Sequence, residues 1–346
     1  MSTPNQPDSG AKSPSAEPAQ TAEPAVALVA GDIVNNCNLR CPFCLVDYAN
    51  IRRLTTMPMD LFKRTFAMLP HVARGHMWLS CLHEPTLHPE FIEMIEAVPP
   101  GLRDRISFTT NFCKRLPDEM LERLALSGIA QVRVSFDTDD PDLFRALRVG
   151  GRWEVFKDNL LRFRAILARH TVRPSLHFIT MAFRDNAASI PGLVQRGVDV
   201  YGGDTHEVRF IYYFPHVAEW GEEHVLSLDG WRTIEKALAP GVAAQRVALA
   251  GPQAGVWDDF KEKRGLAEYV HTETSFGAAD NAIASPAPSP AEVARNMPDE
   301  PLRLRLRWDG LMVIEQIPEH LCRFNLANIA DPGTYFAEIR SLARRT

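Results

Sequence analysis

Three cysteines crowd the stretch NNCNLRCPFCLVDYAN, where Cys37, Cys41 and Cys44 stand at the spacing C-x3-C-x2-C. Thiolates at this density are soft metal ligands and favour zinc or an iron–sulfur cluster. A structural zinc site needs a fourth ligand, and no paired cysteine or histidine follows at finger spacing. His71, His76 and His83 lie nearby in sequence but make no recognised knuckle with the triplet. A four-iron cube held by three thiolates leaves one iron open, and an open iron is a place for a ligand to bind and react. The bland alternative, three small buried apolar side chains, suits this spacing in a loop poorly. Cys81, Cys113 and Cys322 are scattered singly and form no framework.

The elements that must position this loop repeat a strand-then-helix rhythm from residue 26 onward. AVALVAGDIV reads as an apolar strand running straight into the cysteines, and MPMDLFKRTFAMLP as a helix with an apolar face at helical spacing. HMWLSCL with HPEFIEMIEAV, RISFTTN with PDEMLERLALSG, and QVRVSFD with WEVFKDNLLRFRAILARH repeat the unit. SLHFITM with NAASIPGLVQRG and EVRFIYYF with DGWRTIEKALA bring the count to six; Pro191 and Gly192 make the fifth helix the least regular. Alternating short strands and amphipathic helices imply parallel pairing through helical crossovers. Six units are too few for a full eight-stranded barrel, and no Gly-x-Gly-x-x-Gly turn marks a dinucleotide fold. The expected fold is therefore α/β: a partial (β/α)6 TIM-like barrel over residues 26–240, with chemistry at the C-terminal ends of its strands.

Residues 1–25, rich in Pro, Ser, Ala and Glu, read as a disordered tail. They lack the basic start and apolar stretch of a secretory signal, so a cytoplasmic setting with reduced thiols is expected. Residues 241–300 read as an irregular linker. Residues 301–346 read as a small α+β appendage, a hairpin turning at Asp309-Gly310 followed by a closing helix. Arg303, Arg305 and Arg307 alternate there with leucines, a row that could meet an acidic substrate or partner and that reads first as the solvent face of an edge strand. The chain has 346 residues, 45% of them hydrophobic, and a net charge of -5. That balance supplies no basic surplus for nucleic acid, and no apolar run is long enough to span a membrane.

In CNLRCPFC, with Phe43 before the third cysteine, the loop resembles the signature C-x3-C-x-Φ-C of the radical S-adenosylmethionine (radical SAM) superfamily, where Φ is aromatic. The resemblance extends over roughly residues 26–225. It implies a single [4Fe-4S] cluster on Cys37, Cys41 and Cys44, whose open iron chelates S-adenosylmethionine. Reductive cleavage of that cofactor to a 5′-deoxyadenosyl radical, and hydrogen abstraction from a substrate, are the implied chemistry. LSCLHEPTLHPEF is similar to the family's Gly-Gly-Glu-Pro segment, with Leu82 and His83 in place of the glycines; Glu84 or nearby backbone would face the methionine ammonium, and His83 would be either a pocket residue or a solvent-facing histidine at a strand end. SFTTN places Asn111 toward the cofactor. RVSFDTDDPDLFRALRVGG makes Ser135 and Asp137 candidates for the ribose hydroxyls and Arg148 one for the methionine carboxylate. Phe43 would neighbour the adenine, and Asn186 fits a weaker fifth-strand pattern.

Cys81 and Cys113 stand at or beyond strand ends, where a thiol could donate a hydrogen atom; the bland reading is a buried small hydrophobe. Tyr212, Tyr213, His216 and Glu219 could shape a substrate pocket or simply pack. WDGLMVIEQ and the segment after it resemble a SPASM or twitch extension. Cys322 is the single cysteine there, so no auxiliary cluster is expected. The resemblance further implies a small-molecule or peptide substrate and a reductant such as flavodoxin or ferredoxin. A non-catalytic iron–sulfur sensor or structural protein would use the same cysteines without the downstream set Glu84, Asn111, Ser135, Asp137 and Arg148.

Overall fold

The computed structural model describes residues 26–51, 53–210, 218–252, 287–297, 300–316 and 323–343. The tail of residues 1–25, most of the 241–300 linker, Tyr212, Tyr213, His216 and Cys322 lie outside the described residues.

Ten strands form one sheet in the order β10-β9-β8-β1-β2-β3-β4-β5-β6-β7. The strands are β1 (Val26–Gly31), β2 (Met77–Trp78), β3 (Ile106–Thr110), β4 (Gln131–Ser135), β5 (Ser175–Ala182) and β6 (Thr205–Phe210), then β7 (Val247–Ala250), β8 (Leu302–Leu306), β9 (Leu311–Ile314) and β10 (Arg323–Asn325). From β8 through β7 every pairing is parallel; only β9 and β10 run antiparallel to their neighbours. Helices α1 (Met59–Arg64), α2 (Phe91–Ala97), α3 (Asp118–Ala125), α4 (Pro141–Leu147), α5 (Trp153–Leu167), α6 (Ile190–Asp199), α7 (Ala218–His224) and α8 (Leu228–Ala243) supply the crossovers. This is the partial TIM-like barrel expected from the strand–helix rhythm.

Strand alternation divides the side chains. On β4, Val132 and Val134 are buried in the same apolar core as Phe156, Leu160 and Phe163 of α5, while Gln131, Arg133 and Ser135 take the opposite, concave face. On β6, His206, Val208 and Phe210 are buried while Thr205, Glu207 and Arg209 remain partly exposed. The pattern follows from period-2 geometry, and burial of the apolar set supplies most of the driving force.

Two helices differ from the sequence expectation. The first is short: α1 ends at Arg64 and the chain continues in 3-10 turns over Thr65–Ala67 and Leu69–His71. The fifth, α6, is regular, because Pro191 falls in its first turn, where the missing N–H has no intrahelical partner to lose. Strand β7 was not anticipated; it lies within the stretch read as a linker and extends the sheet beyond β6.

The C-terminal hairpin is part of the same sheet. β8 pairs in parallel with β1, with Ala30 opposite Arg305, and β9 covers its other side, so β8 is not an edge strand. Leu302, Leu304 and Leu306 are buried, and the arginines share the sheet face of Ala30 and Trp78. Arg303 and Arg305 bond to Glu315 at 3.3 and 3.0 Å, and Arg307 pairs with Asp309. Two further helices, α9 (Pro290–Ala294) and α10 (Pro332–Ala343), pack together against the outer face.

Candidate active site

The loop after β1 starts from a close approach. At Gly31 an added Cβ would stand 2.7 Å from the Trp78 carbonyl oxygen, so the β1–β2 spacing at the mouth of the loop requires glycine. Beyond it, Asp32 is buried and its Oδ1 accepts from the backbone N–H groups of Cys81, Leu82 and His83 at 3.1, 3.0 and 3.1 Å. Those N–H groups therefore bond to a carboxylate instead of a sheet ladder. Leu79 N–H still bonds to Ser107 O of β3, and the carboxylate keeps Cys81 and Leu82 from continuing the strand.

The cysteine loop, the turn after β2 and the ends of β3 and β4 meet at one cleft open to solvent. Cys37, Cys41, Cys44, Phe43, Cys81, His83, Glu84, Asn111, Ser135 and Arg148 all line it. Among the described residues, no three His, Cys, Asp or Glu side chains converge where a single metal ion would sit. No disulfide joins the five described cysteines.

The surroundings of the sulfurs suit a cluster. Leu39 N–H points to Cys37 Sγ at 3.4 Å and Val46 N–H to Cys44 Sγ at 3.5 Å. Asn111 Nδ2 lies 3.4 Å from Cys37 Sγ and Arg148 Nη1 3.8 Å from Cys41 Sγ. Donors aimed at sulfur stabilise thiolate and tune a cluster's potential. Burial pushes the Cys37 thiol up to about 12, helped by Glu84 and the neighbouring thiols. Burial raises Cys41 too, against the pull of Arg148. Such thiols ligate by exchanging protons for metal, so cluster assembly and deprotonation are coupled.

Glu84 is a strut as well as a wall residue. Its Oε1 accepts from Thr86 N, Thr86 Oγ1 and Thr110 Oγ1 at 3.2, 2.6 and 2.8 Å, and its Oε2 from Asn111 N at 2.7 Å. Just past Asn111, Phe112 adopts φ 55°, a left-handed conformation that costs a bulky L-residue about 1–2 kcal/mol. That turn aims the Asn111 amide at Cys37 and at Asn38 Oδ1, 2.8 Å away.

His83 is buried between rings: Tyr48 of the cysteine loop at 5.8 Å and Trp308 of the C-terminal hairpin at 5.6 Å. Its Nδ1 shares a 3.0 Å hydrogen bond with the Tyr48 hydroxyl. Burial lowers its pKa, opposed by Asp32, so the imidazole is neutral near pH 7. His83 thus fastens the cysteine loop to the hairpin.

Asp137 does not line the cleft. It is buried behind the wall, ion-paired with Arg148, and accepts from Met181 N at 2.9 Å. Arg148 in turn lies over the Phe43 ring at 5.3 Å. Phe43 packs on Phe183 at 4.6 Å and Trp220 at 5.7 Å. Cys113 is also off the cleft, with Sγ 3.2 Å from Asn111 O. Asn186 is fully buried and braces the β4 and β5 ends through bonds to Asp137 O and Met181 O at 2.9 and 2.8 Å. Glu219 is exposed at the start of α7. Sequence reasoning missed Asp32 and Tyr48; an acidic residue closing an apolar strand beside the cysteines was the available signal for Asp32.

The family model described as Radical SAM superfamily matches residues 32–195, the span holding every cleft residue named above. Residues 32–195, just under half of the chain, are thus similar to the radical SAM superfamily. Among curated proteins, the GTP 3′,8-cyclase of Microcystis aeruginosa is 28% identical over 193 residues, covering 53% of this chain and 55% of that protein. The GTP 3′,8-cyclase of Caulobacter vibrioides is 29% identical over 194 residues, 51% of each. The chain thus spans about half the length of the curated relatives it matches. Among solved structures, Streptococcus suis SuiB bound to S-adenosylmethionine superposes with a TM-score of 0.55 at 14% identity, covering 92% of this chain and 68% of that one. This last likeness is one of fold. Radical SAM proteins use a [4Fe-4S] cluster and S-adenosylmethionine, and the donor set in this cleft fits both.

Proposed function

We propose that this chain is a radical SAM enzyme that reductively cleaves S-adenosylmethionine at one [4Fe-4S] cluster on Cys37, Cys41 and Cys44. The observation that carries the reading is convergence. Three thiols of one loop share a single cleft with residues from the ends of β2, β3 and β4. A sensor would have no use for that second set. When bound, the reduced cluster and S-adenosylmethionine supply a 5′-deoxyadenosyl radical that takes a hydrogen atom from a substrate.

The chain's own residues bind and orient. Arg148, held by Asp137, presents a guanidinium fork beside Cys41, suited to the methionine carboxylate. Asp137 thus acts through Arg148, leaving Ser135 as the cleft hydroxyl for the ribose. Phe43 offers an aromatic wall for the adenine. Glu84 fixes Asn111 and the β2 turn, and its carboxylate and His83 form the side facing the amino group. The aromatic packing of Phe43, Phe183 and Trp220 limits water at that wall, which a reactive radical requires.

The curated relatives are named for GTP, and SuiB has been solved bound to a precursor peptide, SuiA. A nucleotide and a peptide have the cofactor half-reaction in common, and that half-reaction is what we carry to this chain. We place it in the cytoplasm, with flavodoxin or ferredoxin as electron donor and a small molecule or peptide as substrate. Among the described residues, no helix is long and apolar enough to cross a membrane. The test is anaerobic reconstitution, reduction and assay of 5′-deoxyadenosine from S-adenosylmethionine. Product above a Cys41→Ala control is expected; no product from a parent that demonstrably holds its cluster overturns the reading.

A further inference from the structure

Below the thiols, the concave face of the sheet carries an unbalanced charge. Arg133 Nη2 donates to Glu207 Oε2 at 3.0 Å, and Arg209 donates to the same carboxylate through Nε and Nη2 at 2.7 and 3.0 Å. His177 Nε2 stands 3.5 Å from it. Burial lowers the His177 pKa, so this imidazole is neutral. Burial would raise Glu207, but His177, Arg209 and Arg133 hold it well below the usual carboxylate range, so it stays ionised. Two guanidiniums against one carboxylate leave a net single positive charge.

That charge faces the cleft. Arg133 and Arg209 line it and Glu207 does not. Arg133 is 8% exposed, rests on the Trp78 ring at 4.6 Å, and keeps a buried Nε with no hydrogen-bond partner. A structural ion pair needs one arginine for Glu207; a second, together with an orphaned buried donor, is costly unless something else accepts from it. The other cleft arginine, Arg148, already has its counter-charge in Asp137.

We propose that Arg133 and Arg209 form an oxyanion subsite for the substrate, which therefore carries a carboxylate or phosphate. The proposal rests on the radical SAM reading, since it names the class of molecule that enters the same cleft. Register places Arg209 beside Met181 and Arg133 beside His177, so the two forks come from the strands that flank β5, at different depths along the sheet. An anion between them would take hydrogen bonds from planar donors suited to either oxyanion. It would also complete the charge balance that Glu207 alone leaves open.

The test is anaerobic titration calorimetry on the reconstituted protein at fixed ionic strength, with pyrophosphate and glutarate as probes. Saturable binding of either is expected, and the tighter probe assigns phosphate or carboxylate. Arg209→Gln should weaken it about tenfold or more, and Glu207→Gln should tighten it several-fold by removing the competing carboxylate. Arg145→Gln, an exposed arginine on α4, should leave it unchanged. Opposite signs at positions 209 and 207 separate a lost site from a misfolded variant. No saturable binding to the parent, or weakening in both variants, overturns the subsite. If 5′-deoxyadenosine forms without anion binding, the subsite alone fails. If anions bind and no 5′-deoxyadenosine forms, the SAM chemistry alone fails.

Discussion

Asp32→Ala tests the construction of the cleft directly. Asp32 is 6% exposed, and one of its oxygens accepts three backbone N–H groups at 3.0–3.1 Å. Alanine leaves all three donors without that acceptor. Each buried donor so stranded costs about 1–3 kcal/mol, less than additively here because one oxygen serves all three. Burial already raises the Asp32 pKa, showing that the ionised form bears a desolvation penalty that alanine removes. The net expectation is about 3 kcal/mol, a large part of the ~5–15 kcal/mol that holds a domain together. Asp32→Asn keeps an oxygen in place and should cost about 1 kcal/mol. Urea unfolding followed by circular dichroism gives the energies, and hydrogen exchange at residues 81–83 gives the location. An alanine variant within about 0.5 kcal/mol of the parent, or amides at 81–83 as well protected as before, would refute the reasoning. The same loop carries His83 and Glu84, so 5′-deoxyadenosine yield should fall in the order parent, Asn, Ala.

Gly31→Ala sets a methyl 2.7 Å from the Trp78 carbonyl and should destabilise by about 2 kcal/mol or more, read as a lower unfolding midpoint with reduced cluster retention. His206 is buried against Thr180 Oγ1 at 2.7 Å, and burial lowers its pKa from 6.5 to about 3. The unfolded chain therefore binds the extra proton first. This contribution is intact above pH 6.5 and is lost as pH falls toward 3, roughly 5 kcal/mol in all. Urea midpoints at pH 7 and pH 4 should diverge less in His206→Gln than in the parent; equal pH dependence would rule His206 out as the source. Iron and sulfide analysis should return one [4Fe-4S] cluster per chain, and a second cluster would overturn the expectation that the C-terminal segment carries none.

Much of the cleft lining was legible in the sequence because it is local. Cys37, Cys41, Phe43 and Cys44 are fixed by spacing within one loop; Glu84, Asn111 and Ser135 stand at or beyond the end of a strand whose apolar run announces it, and Arg148 caps the helix that follows the fourth strand. Strand-end position puts such residues at one end of a parallel sheet whatever fills the helices. Asp137 shows the limit of that logic: the same strand-end pattern that marks it as a cleft residue also suits an inward turn, and only packing turned it toward Arg148 and Met181 N. Cys113 likewise sits where a pocket residue would, yet the left-handed Phe112 turns the chain so that its thiol lies off the cleft.

The arginine row of the C-terminal hairpin makes the same point over a longer range. Alternation of Leu302, Leu304 and Leu306 with Arg303, Arg305 and Arg307 dictates a strand with one apolar face. It does not say which strand lies beside it, because pairing partners some 270 residues apart leave no mark in a single local pattern. Tertiary structure put β8 next to β1 and β9 on its far side. Asp32, the contact of His83 with Trp308, and the pairing of Arg133 and Arg209 across Glu207 belong to the same category: none is marked in the sequence, and each arises when the sheet curls and brings distant strands into contact. By itself the sequence determined the cysteine loop, the β/α rhythm and the order of the strand-end residues, since all are set by spacing along the chain. The depth, charge balance and bracing of the cleft were decided only in three dimensions, where burial and non-local hydrogen bonds choose which of those side chains face it.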